Sequence, residues 1–200
     1  MKKLLLILLC LPMFFGCSNQ QSQVTEDTVV EDAPLKETKF IISDDFILAD
    51  NETYINAFME SASLLNLSEQ ERIDLINRNR EMIEMYTKRG AEDIGENMMI
   101  KKTESNPSKE ELEQFAKMIQ NKDGYVDEVS PVEITLIRSG SKKYKNKYTY
   151  FEVISMADES WGVRYNATYF IEINTNSYQI FLNTYNQLEI DDVIIDIVVK

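Results

Sequence analysis

Histidine is missing from all 200 residues, and cysteine occurs only twice, at Cys10 and Cys17. A body without either residue has lost the commonest general base, the commonest zinc ligand and the usual physiological-pH switch. It also lacks a thiolate nucleophile, a disulfide and any cysteine-based metal site. Glycine and proline are sparse, at 6 and 4. No P-loop, dinucleotide fingerprint or nucleophile elbow can be placed in the chain, so no cofactor is expected. Basic charge is outnumbered, with 21 Lys and Arg against 34 Asp and Glu and a net charge of −13. Such a surface is repelled by phosphate backbones, which sets nucleic acid aside as a partner.

The one long apolar run is at the start. Lys2 and Lys3 precede Leu4 to Phe15, and Gly16 and Cys17 follow. Basic region, short apolar region and small residue form the order of a secretory signal. The run is far short of the roughly twenty residues a membrane-spanning helix needs. Gly16 and Cys17 resemble the end of the bacterial lipoprotein signal, in which a small residue precedes the cysteine that receives the diacylglycerol. Phe14 and Phe15 depart from the Leu and the small or aliphatic residue usual at those two positions. The resemblance covers residues 1–17 and implies a signal peptide over 1–16, a lipidated Cys17 and a bacterial membrane as the first partner. Ser18 stands where some retention signals carry Asp, which favours the outer membrane if there is one. The competing reading is a secreted protein with Cys17 as a spare thiol.

Residues 17–38 read as the anchor cysteine and an acidic tether without aromatics or sustained periodicity. A coil of this length spans about 25 Å. Within it, Asp27 to Val29 resembles a short O-glycosylation acceptor centred on Thr28, although an unmodified linker is the preferred reading. Residues 39–200 are enough for a single domain with a proper core.

In that domain "KFIISDDFILAD" reads as an opening strand or extended arm. Asn51 is the expected cap of a first helix, with Ile55, Phe58, Met59, Ala62 and Leu65 on one face. "SEQE" at Ser68 to Glu71 is a capping box, and Ile73, Ile76, Ile83 and Tyr86 predict a second helix reaching Gly90. "GAEDIGENMMIKKTESNP" reads as a broken connection. "SKEE" from Ser108 opens a third helix with Leu112, Phe115, Met118 and Ile119, ending at Asp123-Gly124. From Ser130 the period becomes two, with Val132, Ile134 and Leu136 on one face and Val163, Tyr165, Ala167, Tyr169, Ile171 and Ile173 on another. "KYTYFEVISM" between them is apolar on both faces, as a doubly covered inner strand would be. "GSKKYKNKY" and "NTNS" predict turns, and "YQIFLNTY" and "DVIIDIVV" two further strands. Strands this close in sequence should pair antiparallel.

The expected fold class is therefore α+β, with N-terminal helices packed on a curved antiparallel sheet of about four to six strands. That element order resembles the cone-shaped fold of the nuclear transport factor 2 superfamily over roughly residues 50 to 186. Its enzymes place His, Asp or Tyr inside the cone, and no such residue can be carried over to a position here.

Candidate ligand-binding residues are Tyr150, Trp161, Tyr165, Tyr169 and Tyr178, aromatics that would line the concavity of a curved sheet and offer hydroxyl handles. Filling the core is the simpler role for them. Glu133, Glu152 and Glu172 would suit acid–base work if the register gathered them. Glu133 and Glu172, however, fall on polar sides near Arg138 and Arg164. Lys142, Lys143, Lys145 and Lys147 form the one basic cluster, either a partner-docking patch or a solvated turn. No calcium-loop spacing occurs, so no metal is expected. These features favour a lipid-anchored binding module for a small molecule or an envelope protein. The alternatives are an enzyme using carboxylates and tyrosines, and a structural envelope component.

Overall fold

Period-two patterning becomes strands, but more of them than the alternation predicts. The computed structural model describes residues 37–62, 67–91, 94–121, 133–159 and 162–200. Cys17, Thr28, the tether to residue 36, Trp161 and Asp123-Gly124 lie outside the described residues. In chain order the elements are β1 (Thr38–Ile42), β2 (Phe46–Leu48), α1 (Asn51–Ala62), α2 (Glu69–Arg80), β3 (Ile83–Lys88), β4 (Asn97–Thr103) and α3 (Lys109–Asn121). Then follow β5 (Glu133–Tyr144), β6 (Tyr148–Glu159), β7 (Gly162–Ile173), β8 (Asn176–Thr184), α4 (Ile190–Val193) and β9 (Ile194–Val199). One antiparallel sheet runs β2-β3-β4-β8-β7-β6-β5, and β1 pairs with β9 in a separate ribbon. The class is α+β with a mostly antiparallel sheet. The helices are not N-terminal to the strands, and seven strands rather than four to six make the main sheet.

Two local expectations fail for one reason. Ile83 and Tyr86 do not prolong α2; the helix stops at Arg80 and Ile83–Lys88 forms β3. Ile83 and Met85 are as well spaced for a strand as Ile83 and Tyr86 are for a helix, and pairing with β4 decides the ambiguity. "NMMIKKT", read as connection, is that partner. Met98, Met99 and Ile100 are all buried because the strand is covered on both sides, so it shows no alternation. The first helix is capped by Asp50, not Asn51: the Thr53 N–H donates to Asp50 Oδ1 at 2.8 Å. Asn51 instead accepts from Arg80, tying α1 to α2. Both capping boxes form. Ser68 N–H donates to Glu71 at 2.7 Å and Ser108 N–H to Glu111 at 2.8 Å. Each capping serine holds its carboxyl below the ordinary glutamate value, chiefly through the Ser68 hydroxyl for Glu71 and the Ser108 backbone N–H for Glu111.

The turns are tighter than "GSKKYKNKY" suggests. Gly140 to Tyr144 belong to β5, and Lys145 and Asn146, with φ of 43° and 60°, carry the reversal. Asn174, at φ 57°, does so between β7 and β8.

Each face of the sheet has its own cover. Met98, Ile100, Tyr150, Ile154, Tyr169, Ile171, Ile180 and Leu182 project toward the β1–β9 ribbon and α4, where Phe40, Ile190, Val193, Ile194 and Ile197 meet them. The Phe40 ring meets Tyr178 edge-on at 5.0 Å. On the opposite face, α1 and α2 cover Ile83, Met85, Met99 and Phe181, while Leu112, Ala116 and Ile119 of α3 cover Ile134, Phe151, Val153 and Ala157. The doubly covered inner strand expected at β6 is thus present, with Tyr150 and Ile154 in one core and Phe151 and Val153 in another. Each such fully buried aliphatic or aromatic side chain contributes about 1.5–3 kcal/mol.

Candidate functional site

A break in the alternation of β5 builds the most charged part of the interior. Leu136 pairs with Ser155 but Arg138 with Ile154, so Ile137 is an extra residue in a β-bulge. Leu136 therefore faces the helices, while Arg138, Gly140 and Lys142 face the ribbon. Gly140 lies opposite Glu152 and has no side chain to fill the space above it. Its φ of 147° is a conformation that other residues adopt only with strain. Arg138 and Lys142, one step to either side on the same face, converge on the carboxylate. Arg138 Nε donates to Glu152 Oε1 at 2.8 Å, and Lys142 Nζ lies 2.8 Å from the same oxygen. Arg138 also donates through Nη2 to Glu189, beside α4, and so clamps the ribbon to the sheet.

Glu152 is 1 % exposed, and two cations against one carboxylate compensate its burial. Tyr169 sits directly opposite on β7, and Tyr150 contacts it edge-on at 5.5 Å. Burial, and then the charge of Glu152, pushes the Tyr150 hydroxyl up to about 12 and raises that of Tyr169 as well. Both phenols are held in the neutral form at ordinary pH. Glu152 Oε2 and Tyr169 Oη have no hydrogen-bond partner.

The expected sites are rearranged. Tyr150, Tyr169 and Tyr178 are buried in the ribbon-facing core and do not line an open concavity; Tyr165 shares their face but is half-buried. Glu133 and Glu172 are exposed and do not join Glu152. Nor does Arg138 balance them on a solvated face: the bulge turns it inward. Arg164 is 8 % exposed and lies over the Tyr185 ring at 5.1 Å. The lysine cluster is largely used within the domain. Lys142 reaches Glu152, Lys145 donates to the Ile195 carbonyl, and Lys147 lies 3.8 Å from Asp196. Among the described residues no group of three or more Cys, Asp or Glu gathers as a metal site.

A second polar assembly has no counterpart in the sequence reading. On the helix-bearing face, Thr87, Asn97, Asn183, Asn166 and Ser155 are aligned by register across β3, β4, β8, β7 and β6. The three asparagines are all more than nine-tenths buried. Asn97 Nδ2 donates to the Ile94 carbonyl at 2.7 Å, and Asn183 Nδ2 to Asn97 Oδ1 at 3.0 Å. The relay stops there, leaving Asn183 Oδ1 and Asn166 Oδ1 buried without donors. The only advance signal was three asparagines inside apolar strands, and their alignment depends on a register set in three dimensions. No protein-family model matches the chain, and no curated protein matches it in sequence.

Proposed function

We propose that this chain is a lipid-anchored cell-envelope protein whose folded domain is a non-catalytic binding module. The anchor reading rests on the run from Lys2 to Cys17, where a lone cysteine follows Gly16 at the signal boundary. An acyl chain contributes about 0.8 kcal/mol per buried methylene, and stable attachment takes more than one chain, as a multiply acylated cysteine supplies. Among the described residues no helix is long and apolar enough to cross a membrane.

For the domain, the supporting observation is how the interior charges are used. Arg138 and Lys142 are committed to Glu152, Arg138 also to Glu189, and the neighbouring phenols are pushed away from the neutral range where they would exchange protons. Such a cluster fastens ribbon to sheet. A carboxylate and tyrosine enzyme remains the second reading, favoured by the two unpartnered atoms Glu152 Oε2 and Tyr169 Oη.

Labelled palmitate fed to cells expressing the protein tests the anchor. The wild type is expected to take up label and sediment with membranes, and Cys17→Ser to lose both. Acylation of Cys17→Ser would overturn the placement.

A further inference from the structure

The β1–β9 ribbon lies across the sheet, yet among the described residues no backbone hydrogen bond joins the two. What fastens the ribbon is gathered at one end. The Tyr144 hydroxyl donates to the Ile194 carbonyl at 2.7 Å, Lys145 donates to the Ile195 carbonyl, and Lys147 Nζ lies 3.8 Å from Asp196. Arg138 reaches Glu189 just ahead of α4. On the other strand, Ser43 N–H donates to the Val193 carbonyl at 2.8 Å, and Arg89 holds the following turn through the Asp44 and Asp45 carbonyls. The far end, Thr38–Phe40 with Ile197–Val199, has no polar contact with the sheet among the described residues. It rests on Phe40, edge-on to Tyr178 at 5.0 Å, and on buried Ile197.

The two ends therefore resist lifting in different ways. Raising the near end breaks the Tyr144 bond and parts Arg138 from Glu189. Raising the far end breaks no hydrogen bond to the sheet, and it brings water to Thr38 Oγ1, which is buried without a partner. Only apolar burial, which has no directional preference, holds that end down. Between the two ends the ladder is interrupted. Ile41 pairs with Asp196 and Ile42 with Ile194, so Ile195 is an extra residue, 48 % exposed. Such a bulge bends its strand and leaves a residue unpaired, as a hinge requires. We propose that the ribbon is a flap, hinged at the Ile195 bulge, that lifts from its Thr38–Val199 end and uncovers Tyr178 and its register partner Ile171. The flap is a way into an apolar face that the closed domain roofs over, and it depends neither on acylation at Cys17 nor on the identity of a ligand.

The test is native-state amide hydrogen exchange on the full chain in detergent. Slow amides of Thr38–Phe40 and Ile197–Val199 should exchange roughly tenfold or more faster than those of β7 and β8. Phe40→Ala should speed them by roughly a further tenfold. Two variants separate lifting of one end from wider opening. Ile76→Ala removes core under α2 on the opposite face, and should speed exchange in β7 and β8 by roughly tenfold or more while leaving the flap amides within about twofold of wild type. Ile76→Val asks the same question more gently if Ile76→Ala does not fold. Tyr144→Phe should also leave the flap amides within about twofold, because the near end stays down while the far end lifts. Flap amides as slow as those of β7 and β8, or accelerated in step with them by the Ile76 variants, would show that the ribbon opens only with the whole domain and overturn the proposal. Acceleration of the flap amides by Tyr144→Phe would show that the ribbon lifts in one piece, and would overturn the hinge.

Discussion

On the ribbon-facing side of the sheet a buried carboxylate is met by two cations, whereas on the helix-facing side two buried amide oxygens have no donor. The contrast follows from what each group costs when left alone. An unpaired buried charge is penalised by several kcal/mol, an unpaired amide by about 1–3 kcal/mol. A domain can therefore leave an amide pair without donors at tolerable expense, but must supply partners for Glu152 from its own chain. The sharpest way to break this distinction is Arg138→Met, which leaves the buried Glu152 carboxylate with Lys142 alone. It should cost about 3–5 kcal/mol and lower the urea midpoint by about 2 M. Removing the pair as a unit with Arg138→Met and Glu152→Leu should stay within about 1 kcal/mol of wild type, since Lys142 and Glu189 are exposed enough to find water. A double variant as weak as the single one would show that the ion cluster contributes net stability.

The next test uses proton linkage on the same face. The Tyr150 hydroxyl is raised from 10.0 to about 12, first by burial and then by the charge of Glu152. The folded state thus favours the neutral phenol, and the stability tied to it is complete below pH 10 and lost as pH rises from 10 to about 12. Urea midpoints measured across that window should fall for the wild type and fall less steeply for Tyr150→Phe. Equal slopes would place the Tyr150 hydroxyl in contact with water.

The helix starts were legible because a capping box is local. Ser68–Glu71 and Ser108–Glu111 require nothing beyond four residues, and the structure repeats them. The doubly covered β6 and the alternation of β7 were legible for a similar reason, since burial on one or both faces writes itself into period. What escaped depends on partners distant in sequence. Ile83–Lys88 satisfies both helical and strand spacing until β4 pairs with it, and Asn97–Thr103 loses its alternation by being covered twice. The bulge at Ile137 leaves no local mark, yet it sends Arg138 inward to Glu152. The aromatics Tyr150, Tyr169 and Tyr178 were found as a group on one face, but the face is roofed by β1 and β9, strands from the two ends of the domain. The asparagine row is further out of reach, because aligning Asn97, Asn183 and Asn166 needs two separate registers.

The smallest effects separate the two amides themselves. Asn183→Leu removes the donor to Asn97 and leaves that oxygen buried without a partner, which should cost about 1–3 kcal/mol in urea unfolding. Asn166→Leu removes an acceptor that nothing serves. With a side chain of similar volume, it should be neutral or stabilising by up to about 1 kcal/mol. If both variants lost the same stability, Asn166 would be satisfied in solution and the row would be a structural network from end to end. Unequal outcomes, with Asn166 expendable to the fold, are what a residue retained for something other than stability would give.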